Sequence, residues 1–448
     1  MGMRLTARFP LKFGGSTVLA AQERKPASLR ADFSWMLVGN AVYASAQFAT
    51  LMLLAKLLRP EMVGQYALGL AVVYPVMMFA NLQLRAVITS DIRKQTPFGF
   101  YLGLRLLTTT LGLLIVFIIT QLLAYNRELT TVVLMVGIAY GIETISDVYY
   151  ARLQLHDRMA EISKSMIARA SISILALSLA TYITRSLPWG IAGIALARMA
   201  ILFSYDIRRH THGLNDGSSG RKDLAPRISL RVQRKLAWLS LPLGIVVLLN
   251  CLNASIPNFF IKHALGDRDV GIFAALGFMV SVGNMTVVSL GQSAFTRLAA
   301  SYSSGDLAAF ASLIRKLLVF GAAIGAAGIV ISKLAGREIL TILFHPEYAS
   351  QADLLPWIMA AGGVLFMAQF LGFAMTAANF YHSQVALNIV ANLSLFAGCY
   401  WLVARQGLLG AIYAMLIAAA VQLLGSISIL VKGMRTQSRL CIGRIETA

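Results

Sequence analysis

Apolar runs of about 18 to 25 residues recur along the whole 448-residue chain. A run of that length crosses the ~30 Å hydrocarbon core of a bilayer as one α-helix. In hydrocarbon each crossing must satisfy its own backbone hydrogen bonds, which leaves helices and closed barrels. The runs are continuous and do not alternate, which disfavours a barrel. The expected fold class is therefore an all-α integral membrane protein. Composition agrees, since only 13% of the residues are charged against about 25% in soluble domains.

Twelve spans are expected, at 33–55, 66–90, 101–122, 131–152, 166–185, 189–207, 236–261, 271–297, 314–333, 354–376, 383–404 and 408–431. An even number puts both termini on one side. Twenty-six lysines and arginines fall on that side and nine on the other. The excess of cations marks the cytoplasmic face, so both termini are expected there. Topology and attraction to anionic membrane lipids then account for most of the net charge of +20, and nucleic acid is not needed. The basic first 32 residues lack the apolar core of a secretory signal. Cys251, Cys399 and Cys441 give no disulfide framework.

A repeat divides the chain. The stretch around Leu58, Val63, Gly64, Tyr66 and Ala67 returns 207 residues later as Leu265, Val270, Gly271, Phe273 and Ala274. Each copy is a short charged turn between two apolar runs. The basic segment 208–235, with the turn-forming run Gly213 to Gly220, reads as the linker between the halves. A weaker echo pairs Gly190 and Gly193 with Gly407 and Gly410. The expected domains are a basic tail (1–32), a six-helix lobe (33–207), the linker (208–235), a second six-helix lobe (236–431) and a tail (432–448). The repeat keeps its orientation, so the lobes are parallel and related by an axis along the membrane normal.

Polar residues inside the spans indicate a wet interior. Asn40, Tyr43, Gln47 and Thr50 share one helical face, and Tyr74, Met78, Asn81 and Arg85 share another beside Pro75. Asn250, Asn253 and Asn258 mark span seven, and Gln384, Asn388 and Asn392 span eleven. Single amides of this kind also serve as ordinary helix–helix contacts, but four stripes spread over both halves favour a shared cavity. Arg85 and Arg198 are candidates to hold an anionic group, with ion pairing or snorkelling as the structural alternative. Arg105, Arg169 and Arg297 read as interface anchors. Glu143 and Asp147, one turn apart on span four, either carry a coupling proton or Na⁺ or neutralise these arginines. The histidines lack metal-ligand spacing. No nucleotide-binding loop or nucleophile elbow occurs, and the loops leave no room for an external catalytic domain. No cofactor is expected.

The residues Phe33 to Asn40, Leu53 to Leu68, Ala71 to Val76, Asn81 to Arg85 and Leu343 to Ala349 resemble those of the polysaccharide-type (Wzx-type) flippases of the multidrug/oligosaccharidyl-lipid/polysaccharide exporter superfamily. That resemblance implies two six-helix lobes around a cavity that opens alternately to each side of a bacterial inner membrane. It implies a polyprenyl-pyrophosphate-linked oligosaccharide as cargo, and polysaccharide polymerase machinery as a partner. Arg85 matches the first-half motif, whereas Arg198 has no clear counterpart. On this reading Arg85, Arg198, Asn40, Gln47 and Asn81 meet the cargo, and Glu143 and Asp147 meet a coupling ion. The alternative on the same fold is a cation-coupled exporter of drugs or other small molecules. Cationic drugs call for net acid in the cavity, and an anionic lipid for net base. A membrane-bound polymerase or glycosyltransferase is disfavoured by the short loops.

Overall fold

The computed structural model of the chain describes residues 29–90, 96–156, 158–209 and 225–445. Every regular element among them is helical. The first half contains α1 (Leu29–Leu57), α2 (Pro60–Asn81), α3 (Leu84–Ser90), α4 (Phe98–Leu122), α5 (Arg127–Leu155), α6 (Met159–Thr184) and α7 (Leu187–Ile201). The second contains α8 (Leu230–Ala264), α9 (Asp267–Ser303), α10 (Leu307–Leu343), α11 (Pro346–Ala349), α12 (Leu355–Ala377) and α13 (Tyr381–Ile445). Among the described residues, ten helices are long and apolar enough to cross a membrane. One of them, His382–Arg435, has 54 residues, about 81 Å of helix and too long for one crossing. It divides at Gly407, where φ is 59° and ψ −134°. With α8 in the place of the seventh expected span, the described residues offer twelve candidate crossings.

These helices form two lobes. In the first, α1 packs on α6, α7 lies against α5 and α6, and α2 and α4 pack on α5. In the second, α12 packs against α9, α10 and α13, and α8 packs on α13. Helix α2 bridges the lobes through α8 and α9. The glycine echo has a common role. Gly190 and Gly193 bring α7 onto α6 at Thr181 and Ala176, and Gly410 brings the second part of α13 onto Leu402 of the first. In both halves small residues let the last crossing approach the one before it.

The two copies of the repeated turn meet each other. A Cβ at Gly64 would lie 1.7 Å from the Asp267 carbonyl oxygen, and one at Gly271 would lie 2.3 Å from the Pro60 carbonyl oxygen. The repeat therefore builds a symmetric contact that clamps the lobes together at the hairpin end. Below it, the rings of Phe48 and Phe278 meet at 4.3 Å.

The structure corrects several boundaries. The second expected span, 66–90, is two helices. Helix α2 starts at Pro60, runs on through Pro75, and stops at Leu82 and Gln83, both at φ 50°. Left-handed backbone ends a helix. Arg85 thus lies on α3, off the face shared by Tyr74, Met78 and Asn81. The expected loop near 334–353 is mostly helical, since α10 runs to Leu343 with one non-helical residue at Ala335, followed by α11. The C-terminal tail continues as helix to Ile445. Residues 1–28 of the expected N-terminal tail and 210–224 of the linker lie outside the described residues, while 29–32 already belong to α1 and 230–235 to α8.

Candidate functional site: an inter-lobe cavity and a buried charge network

A cavity of about 720 Å³ separates the lobes, and Phe278 of the Phe48–Phe278 contact is part of its wall. The first lobe lines it with Tyr43, Gln47, Tyr66, Tyr74, Tyr140 and Glu143. The second contributes Asn253, Ser255, Asn258, Ser281 and Asn284. A chamber of this size, built of aromatic walls and a few fixed polar groups, suits a small organic ligand. Tyr74 and Tyr140 stand edge to face at 5.9 Å. Gln47 donates to the Tyr43 hydroxyl at 2.9 Å, and Tyr43 donates in turn to Glu143.

Behind this wall lies a charge network confined to the first lobe. The Arg198 guanidinium sits 2.7 Å from Glu143, donates to the Ala139 carbonyl at 2.9 Å and covers the Tyr140 ring. Asp147 lies 3.4 Å from Arg85 and 3.9 Å from Arg105. Arg105 is fully buried and also clamps the end of α2, donating to the Asn81 side chain at 2.8 Å and to its carbonyl at 3.0 Å. Arg85 donates to Gln154 at 2.9 Å. Arg169 pairs with Asp206 at 2.8 Å, and Ser165, itself bonded to Tyr150, donates to Asp206 at 2.5 Å. Four arginines therefore face three carboxylates, which leaves one excess cation. It resides where Arg85 and Arg105 share Asp147.

Each expected site residue can now be placed. Gln47 and Glu143 line the cavity. Arg198 stands behind Glu143, and Asn81 is engaged by Arg105. Asn40 is exposed on α1, outside the residues that line the cavity. Asp147 is held between two arginines. Arg85 retains 28% side-chain exposure beside it. Arg105 and Arg169 are buried within the lobe, so they are not interface anchors. The span-eleven amides make interhelical bonds: Asn388 donates to Asn250 at 3.3 Å, and Asn392 donates to the Leu249 carbonyl at 3.0 Å. That stripe holds α13 to α8, while Asn253 and Asn258 of span seven reach the cavity.

Sequence reading passed over Asp206 and Asn284. Asp206 closes a π-turn, Leu202–Asp206, which shifts its side chain from regular helical register. Gly277, Ser281 and Asn284 follow 4, 3 spacing on α9, and this was a usable signal for a cavity face.

Two helical lobes of membrane-spanning length around a central polar cavity define a multi-pass membrane protein. The chain belongs to the family described as polysaccharide biosynthesis protein, whose model matches residues 29–301. It is 24% identical over 404 residues to a capsular polysaccharide biosynthesis protein, CapF, of Staphylococcus aureus, covering 88% of this chain and 97% of the relative. Its fold is similar to an inward-facing multidrug resistance MATE family transporter of the MOP superfamily, with TM-score 0.68, 12% identity, and 90% and 98% of the two chains covered. It is similar also to the lipid II flippase MurJ in an inward closed conformation, with TM-score 0.67, 10% identity, and 91% and 89% covered.

Proposed function

We propose that this protein moves polyprenyl-pyrophosphate-linked oligosaccharide units across the bacterial inner membrane by alternating access, for assembly of a surface polysaccharide. Membership of the polysaccharide biosynthesis family carries the reading, and the cavity chemistry supports it. A sugar cannot cross ~30 Å of hydrocarbon unaided. Rings, amides and hydroxyls replace the water it gives up. The pyrophosphate needs a cation, and the excess cation at Arg85 and Arg105 lies in the partly accessible end of the network. Gln47 lines the route of the sugar, Asn81 and Arg198 hold its walls, and Asn40 flanks the approach.

The hairpin end, with Lys56, Arg59, Lys262 and Arg268, is assigned to the outer face by the distribution of basic residues, and both termini to the cytoplasm. The clamp of Gly64 on Asp267 is then a closed outer gate, and the two lobes, 33–207 and 236–431, are the units whose rocking opens it. Glu143, the carboxylate that lines the cavity, is assigned to a coupling proton or Na⁺ if a gradient drives the cycle. Asp147, between two arginines, is assigned a structural part. Polymerase machinery receives the product.

The test is export in cells. Loss of the gene blocks surface polysaccharide and leaves lipid-linked units inside. Arg85→Ala reduces export at least about tenfold with wild-type protein in the membrane, because the Asp147 carboxylate then faces only a fully buried guanidinium and the anionic headgroup loses its cation. Normal export at wild-type protein level removes Arg85 from the mechanism.

A further inference from the structure

Among the described residues, no lysine or arginine lines the central cavity. Among the described residues that line it, Glu143 alone carries a formal charge, and Arg198 neutralises it from behind. Arg198 and Arg169 line instead an adjoining chamber of about 20 Å³, shared with Tyr43, Gln47 and Tyr66. That volume holds roughly one water molecule and no sugar substituent. Arg85 and Arg105 do not line the cavity either.

What lines it is the chemistry that binds neutral sugars. Tyr66, Tyr74 and Tyr140 stand on one side, and the amides of Asn253, Asn258 and Asn284 on the other. The C–H faces of a pyranose pack on aromatic rings, and its hydroxyl and acetamido groups exchange hydrogen bonds with side-chain amides. The Oδ1 atoms of Asn258 and Asn284 are buried in this conformation and have no hydrogen-bond partner among the described residues. A carboxylate on the same sugar fares differently. It would lose water and meet no cation in the lining.

We infer that the cavity selects uncharged sugar units, hexoses, deoxyhexoses and N-acetylhexosamines, and rejects units that carry a uronic acid. The inference rests on the flippase reading above, and it narrows the substrate class of that same site. The pyrophosphate, common to all such cargo, contributes nothing to this selection, because its cations lie outside the sugar chamber.

The test compares two probes with the same polyprenyl pyrophosphate and the same first sugar, one ending in glucose and the other in glucuronate. Each is placed in vesicles containing the purified full-length protein. Arrival of sugar in the opposite leaflet is read by an impermeant lectin or glycosidase. The glucose probe is expected to cross at least about tenfold faster. Asn284→Lys, which adds a cation to the lining, is expected to narrow that ratio. Equal rates, or faster transfer of the glucuronate probe, overturn the inference while leaving the flippase reading intact. Transfer of neither probe overturns the flippase reading itself.

Discussion

Gly64→Ala is expected to abolish export while leaving the protein folded in the membrane. The two hairpin ends close backbone to backbone, and a methyl group at 64 would sit 1.7 Å from the Asp267 carbonyl oxygen. No rotamer relieves that overlap, because the obstructing atom is main chain. Gly271 faces Pro60 in the same way from the other lobe, so neither partner has room to retreat. The variant is therefore held with its hairpin end apart. A second readout separates this from misfolding: Ala274→Cys, on the cavity wall just inside the clamp, is expected to react with an impermeant thiol reagent from the hairpin side in the Gly64→Ala background and to be protected in its absence. Equal labelling in both backgrounds, with export retained, removes the clamp from the transport cycle.

The second large effect is on stability. Asp206 is fully buried and holds Arg169, whose side chain is 4% exposed, in place. Removing one partner of a buried pair leaves an uncompensated charge, at a cost of about 3–5 kcal/mol. Asp206→Ala is expected to lower the Tm in detergent and the amount of protein recovered. Replacing both partners by apolar residues is often close to neutral, so Asp206→Ala with Arg169→Met is expected to recover most of the loss. A double variant no more stable than Asp206→Ala alone shows that Asp206 acts through Ser165 and Tyr150 rather than through the ion pair. The cycle is informative because the residues are in contact.

Hydropathy alone carried the architecture, because a helix that crosses hydrocarbon has to be apolar over its whole length. The repeat carried the two lobes. It did not reveal that its copies touch each other, since contact between residues some 200 positions apart leaves no mark on local spacing. The break after Asn81 was equally hidden. Leu82 and Gln83 both adopt positive φ, a conformation for which glycine or asparagine is the usual sign, and neither residue carries it. That break put Arg85 on its own short helix, within reach of Asp147 and Gln154.

The candidate site was legible in kind and not in pairing. The polar stripes of spans one, two and seven do reach the cavity, through Tyr43, Gln47, Tyr74, Asn253 and Asn258. The stripe of span eleven has the same periodicity but faces α8 instead. Periodicity defines a face of a helix and does not say what lies opposite. For the same reason the sequence left Arg85 and Arg198 open between an anion site and ion pairing, and the buried arginines proved to be a set of ion pairs with one cation in excess. Asp206 was the missing partner.

The measurement that bears most directly on the whole account is transfer of a labelled, neutral, polyprenyl-pyrophosphate-linked oligosaccharide across vesicles that contain the purified protein, beside export of a cationic dye from the same vesicles. The account predicts that the sugar reaches the opposite leaflet only when protein is present, that Gly64→Ala stops it, and that the dye is not moved. Export of the dye with no transfer of the sugar would contradict it.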